Sequence, residues 1–371
     1  MKIETFQLER DQSLWENLVA YNLTESGLHP FTLSELFSAA QLDELLSLRL
    51  GYGQTNGSIP LRQAISSYYP GATADSVLAT NGSAEANFLA NWTQLEPGDE
   101  IVYMVPNYMQ IWGVARALGV TVKPLPLRQE LGWQPDLNEL RQLVSPKTKF
   151  IAVCNPNNPT GSRLSSEAMA AIVAAAQEVG AWIFSDEVYR GAELDEVETR
   201  SFWGMTDKVV VTAGLSKAYG LPGLRLGWLV GPAEFIAQCW ASSDYTTITP
   251  GILSDRAGTF VLGDRAMRNR ILTRNRGWLR QNLALVQEWV AEQNGRLSLT
   301  PPQAGGMAFM RYDFALNSTE LTTRLRQEQS VLVVAGDCFG MDCHLRFGFG
   351  SEPEYLTAGL NRVAAFLRTI R

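Results

Sequence analysis

The sequence predicts an α/β fold, a mostly parallel sheet with helices on both faces, joined to a smaller α+β domain. Three observations carry that expectation. From Tyr52 onward, short apolar runs at 77–80, 100–105, 150–154, 181–185, 208–213 and 226–230 alternate with helical stretches such as 84–94 and 167–179. A chain of 371 residues exceeds one compact core of typical size, so about two domains are expected. Beyond about residue 275 the pattern shifts to a long helix, an antiparallel-looking pair at 331–334 and 344–349, and a terminal helix. The expected division is a large α/β domain over 46–275 and a small α+β domain built from 1–45 and 276–371.

Composition narrows the function. A formal net charge of -7 argues against phosphate-backbone binding as a main activity, so nucleic acid is not an expected partner. Cys154, Cys239, Cys338 and Cys343 show no CxxC spacing and read as reduced thiols of a cytoplasmic protein. The cluster Cys338, Cys343 and His344 lacks the usual spacing of metal ligands, and no metal is expected. The opening MKIETFQLERDQSLW mixes both charge signs without an apolar segment, so no signal peptide is expected. The longest apolar stretch, 168–176, is too short to span a bilayer.

Taken in order, residues 1–45 read as a polar lead-in, a turn at 27–30 and the start of a helix over about 33–48. At 80–86, TNGSAEA joins a strand to a helix through Gly82 and Ser83, and free amides at a helix N-terminus suit a phosphate. An ordinary N-cap explains that stretch equally well. At 155–161, NPNNPTG packs turn-formers behind an apolar strand, and its asparagines offer amide groups to a ligand or close a structural turn. The helix at 167–179 has Ser165 or Ser166 as cap and Gly180 as stop.

At 185–191, SDEVYRG sets Asp186 just past a strand, where a carboxylate is costly unless it meets a cation or lies on a surface loop. Tyr189 follows three residues on. At 214–227, GLSKAYGLPGLRLG holds one lysine and one arginine among glycines between two apolar runs, both read as parallel-type strands. Lys217 therefore leaves a strand end of a buried sheet, where α/β folds bind ligands. There, a partly desolvated lysine has a depressed pKa, and its neutral amine can attack a carbonyl. Near the C-terminus Arg346, in HLRFGFG, suits either bidentate carboxylate recognition or a structural salt bridge.

Together these segments resemble the class I/II aminotransferases, the fold type I enzymes that use pyridoxal 5'-phosphate, over almost the whole chain and in the family's order. The resemblance implies that Lys217 forms the Schiff base with the cofactor, Asp186 partners the ring nitrogen, and Asn158 and Tyr189 bond the pyridoxal oxygen. It implies a phosphate site of Ser83, Ala84, Ser216 and Arg225, with the Tyr108 ring on the cofactor. Arg346, Asn158 and Gly27 are expected to meet the substrate. Tyr52 in YGQTNGSIPLR resembles the tyrosine that reaches the neighbouring subunit of a homodimer. The implied reaction is ping-pong transfer of an amino group from an α-amino acid to a 2-oxo acid. One departure stands out: Gly214 occupies the place, three residues before the lysine, where many relatives carry a hydroxyl. SGLHPFTLSEL, GLSKAYGLPGLRLGW and DYTTITP are also similar to a subgroup that includes capreomycidine synthase, which makes a lyase or cyclase the alternative activity.

Overall fold

After a short first strand, β1 (Tyr21–Asn22), eight strands build the main sheet. They are β2 (Val77–Thr80), β3 (Glu100–Val105), β4 (Thr121–Arg128), β5 (Gln134–Pro135), β6 (Thr148–Cys154), β7 (Trp182–Asp186), β8 (Val209–Gly214) and β9 (Gly227–Val230). The computed structural model describes residues 2–370. Spatial order is β2-β9-β8-β7-β6-β3-β4-β5. The central strands β8, β7, β6, β3 and β4 run parallel, and all but β4 are buried on both faces, as parallel strands covered by helices are. Their side chains alternate between two apolar layers: Val102 and Met104 pack into one, Ile101 and Tyr103 into the other.

Three expectations about elements change. The strand at 226–230 is not parallel-type: β9 runs antiparallel to both β2 and β8. Residues 215–226 hold a 3-10 turn but no crossover helix, and a parallel return needs one. The helix expected over 33–48 is two helices, Leu33–Leu36 and Ala39–Ser47, because Ser38 caps the second through the Gln41 N–H. β4 does not show in the apolar pattern, since it carries Pro124 and Pro126. The prolines are tolerated because β5 pairs only with Leu127 and Arg128, leaving that edge of β4 open beside them. The helix Ser166–Val179 matches its expected caps, with Ser165 accepting from the Ala168 N–H and Gly180 left-handed at the end.

A second sheet, in order β10-β11-β14-β13, is built from β10 (Leu297–Leu299), β11 (Met307–Tyr312), β13 (Val334–Ala335) and β14 (His344–Gly348). Of the run expected to pair with β14, only β13 does so. The preceding β12 (Val331–Leu332) pairs in parallel with β1 and ties the N-terminal segment to this sheet. The helix Arg265–Ala291 runs unbroken through position 275.

Candidate active site

β2, β3, β6, β7 and β8 all end at one edge of the main sheet, and the loops leaving them converge there. A cavity of about 360 Å³ at this edge is lined by Ser83, Ala84, Tyr108, Asn158, Asp186, Tyr189, Ser216, Lys217, Arg225 and Arg346. Gly27 lies just outside this wall, where a side chain on it would touch the Lys217 stem. Tyr52 is elsewhere, fully out on the surface at 89% exposure.

Asp186 closes β7 and is buried. Its carboxylate accepts 3.2 Å hydrogen bonds from Asn87 Nδ2 and the Val188 N–H, yet no cation pairs with it among the described residues. Burial therefore raises its pKa to about 6. Asn87 is itself held in place, since the Thr212 hydroxyl donates to its Oδ1 at 2.7 Å and so turns the amide N–H₂ toward Asp186. Tyr189, also buried, donates to Ser26 Oγ at 2.8 Å, and burial pushes its phenol up to about 12.

Lys217 differs from expectation in its charge state. Its Nζ lies 2.7 Å from Glu25 Oε1. Burial works to lower the ammonium's pKa, but the Glu25 carboxylate and Tyr189 outweigh it, and the net shift is upward. The depressed pKa expected from the burial of the strand end fails because a carboxylate from the N-terminal segment reaches the amine. Glu25 responds in the opposite sense, held down at about 2 chiefly by Lys217.

Opposite this pair lies a corner suited to an anion. The helix Ser83–Gln94 starts at Gly82 with no side-chain cap, so an ordinary N-cap is not what Ser83 supplies. The Arg225 guanidinium lies against Gly82 and reaches toward Ser216 Oγ at 3.5 Å. A side chain at Gly227, the first residue of β9, would collide with the Ser83 nitrogen, so glycine is what lets strand and helix start meet. Gly214 pairs with Gly227 and lines a separate cavity of about 20 Å³ with Tyr69 and Arg268.

Arg346, on β14, is buried at 2% exposure and makes no salt bridge among the described residues, which removes the structural ion pair as its explanation. Its Nη1 donates to Asn158 Oδ1 at 2.8 Å and its Nη2 to the Thr24 carbonyl at 2.6 Å, while Nε finds no acceptor. A buried guanidinium with spare donors is prepared for a carboxylate.

Further lining residues belong to a stretch read from sequence as a polar lead-in. Glu9, Gln12, Ser13 and Glu16 reach the cavity from the helix Gln7–Trp15 and its end. Glu9 accepts from the Tyr108 hydroxyl at 2.6 Å. Their spacing of i, i+3, i+4 and i+7 was the available signal: it marks one face of a helix, here polar because it faces a polar cavity.

The class I and II aminotransferase family model matches residues 16–363. Capreomycidine synthase of Streptomyces vinaceus is 32% identical over 360 residues, covering 94% of this chain and 90% of that protein. Arginine–pyruvate transaminase of Pseudomonas aeruginosa is 30% identical over 347 residues, covering 88% and 84%. The crystal structure of a pyridoxal-phosphate-dependent aminotransferase from Streptococcus suis superposes with a TM-score of 0.93 at 34% identity, covering 100% of this chain and 99% of that one. The chain belongs to the class I and II aminotransferases and is an enzyme of the pyridoxal-phosphate-dependent class.

Proposed function

We propose that the enzyme is an aminotransferase, moving the amino group of an α-amino acid to a 2-oxo acid by a ping-pong route. The observation that carries this reading is the convergence of Lys217, Asp186 and an unpaired Arg346 on one cavity. The donor set fits the cofactor. Asp186 is a buried carboxylate short of one cationic N–H, and the Ser83 helix start with Arg225 forms an anion cradle. Lys217 would hold the cofactor, with Asn158, Tyr189, Tyr108 and Ser216 around it. When bound, pyridoxal phosphate supplies a ring that takes up the electron pair left at the substrate's α-carbon.

The chain's own groups do the rest. Arg346 would grip the substrate α-carboxylate through its fork, and Asn158, hydrogen-bonded to Arg346, links that grip to the cofactor side. Lys217 Nζ, once free, would carry the proton from the α-carbon as general base and return it as general acid. Glu9, Glu16 and Glu25 line the same cavity, whose only cations among the described residues are Lys217, Arg225 and Arg346. With those three engaged, the remaining wall is acidic, which favours a substrate with a cationic side chain. The likeness to a protein named for arginine and pyruvate supports that choice.

The chain is further read as a cytoplasmic homodimer in which Tyr52 reaches the neighbouring site, with domains at 46–275 and at 1–45 plus 276–371. The division is supported by the separate sheets. A lyase or cyclase acting on an amino acid is the second reading, favoured by the identity to capreomycidine synthase. Turnover of L-arginine, L-lysine and neutral amino acids with and without pyruvate separates the two. Transamination requires the acceptor, releases one 2-oxo acid per donor and gives parallel reciprocal plots. Sustained product formation without any acceptor, beyond one equivalent per active site, overturns it. Lys217→Ala should abolish turnover while leaving the fold, and retained catalysis would remove Lys217 from its role.

A further inference from the structure

The segment that carries Glu25 is held over the cavity by its backbone. Leu23 N–H donates to the Leu332 carbonyl at 2.8 Å, the Gly348 N–H to the Leu23 carbonyl at 2.7 Å, and the His29 N–H to the Gly350 carbonyl at 2.8 Å. Side chains at Gly348 and Gly350 would collide with the carbonyls of Glu25 and Gly27, so the close pass is built into β14 and the turn after it. Glu25 is thereby fixed at Lys217, and the oxygen that meets Nζ also accepts the Gly27 N–H at 2.8 Å. The charged and titratable groups around Nζ are Glu25 from this segment, Tyr189 and Asp186 from the end of β7, and Arg346 from β14. Among them Glu25 alone is an anion in contact with the amine.

We propose that Glu25 is a positioning residue that keeps Lys217 an ammonium whenever its Nζ is free, and so sets the pH at which the cofactor can be captured. This inference rests on Lys217 being the cofactor lysine. Capture needs the neutral amine: Nζ gives its electron pair to the aldehyde carbon, a C=N bond forms, and the aldehyde oxygen leaves as water carrying the two amine hydrogens. An ammonium must first lose one proton to solvent, and a carboxylate at hydrogen-bond distance opposes that loss. The same contact favours Lys217 in the protonated form it takes after removing a proton from substrate.

The test uses cofactor-free full-length protein and two readouts that do not depend on turnover. One is the pH profile of the rate at which the visible band grows on adding pyridoxal phosphate. The other is the pH profile of Lys217 methylation by formaldehyde and cyanoborohydride, located by mass spectrometry. Glu25→Gln keeps an acceptor for the Gly27 N–H and removes the charge. It should speed capture at pH 7 by about tenfold or more and move both profiles about one unit or more to lower pH, since one unit is a tenfold change in neutral amine. Glu25→Asp should stay closer to the wild-type profiles. Unshifted profiles in a folded Glu25→Gln variant that still captures cofactor overturn the inference alone. Band formation undiminished in Lys217→Ala overturns the assignment beneath it.

Discussion

A buried carboxylate without a cation beside it weakens the fold that contains it, and Asp186 is in that position until a ring nitrogen arrives. Its pKa of about 6 means that the cofactor-free fold binds a proton the unfolded chain has already released. The stabilising effect of that proton is complete below the ordinary carboxylate range and is lost as pH rises through about 6. Asp186→Asn should therefore make the cofactor-free protein more stable at pH 8 by about 1–3 kcal/mol, measured by urea unfolding, and flatten the dependence between pH 4 and 7. Equal stability at pH 8 would show that the carboxylate is not short of a partner. At this scale most of the site was legible, because Asp186, Asn158 and Lys217 sit in short motifs at or just past strand ends and Arg346 in a short motif within β14. Glu25 and Asn87 were not, since each acts through a neighbour far away in sequence, Lys217 for one and both Thr212 and Asp186 for the other.

Between elements, the decisive contact is the start of β9 against the start of the helix Ser83–Gln94. Gly227→Ala would drive its methyl into the Ser83 nitrogen, displacing the helix end that forms the anion corner. The expected result is at least tenfold weaker retention of pyridoxal phosphate, read by dialysis and absorbance, with the far-ultraviolet circular dichroism preserved. Unchanged retention would mean that the corner does not hold the phosphate. The parallel centre of the sheet was legible because strands buried on both faces read as continuous apolar runs. β4 was hidden by prolines that an open edge tolerates, and the direction of β9 depended on a connection whose length alone did not declare it. The helix Gln7–Trp15 escaped because its patterned face is polar.

At the scale of the whole molecule, several large apolar side chains are left on the surface. Leu46, Leu50, Tyr52 and Tyr245 are between 80% and 90% exposed, and the loop after Tyr52 is joined to the helix Ala233–Ser243 by the Trp240 indole donating to Thr55 Oγ1 at 2.8 Å. Large apolar side chains this exposed are suited to burial against a partner. The loop that carries Tyr245 reaches the anion corner, since Asn81 Nδ2 donates to Thr247 Oγ1 at 2.6 Å and Glu85 accepts from Thr246 and Thr247. Leu50→Glu should convert a dimer to monomers in sedimentation and weaken cofactor retention with it, and an unchanged sedimentation coefficient would place the interface elsewhere. The pairing of the N-terminal segment with β12 also gives the molecule an order of assembly. The Ala20 N–H donates to Ser330, 310 residues later. During synthesis at about 5–20 residues per second, roughly 15–60 s separate the two. Only in the last third or so of that interval, once Val230 has been made, can the nascent chain complete the main sheet and present Lys217 without Glu25 locked upon it. The contacts that hold the Glu25 segment over Lys217 need Leu332 and Gly348, so this guard is set only when the last strands are made.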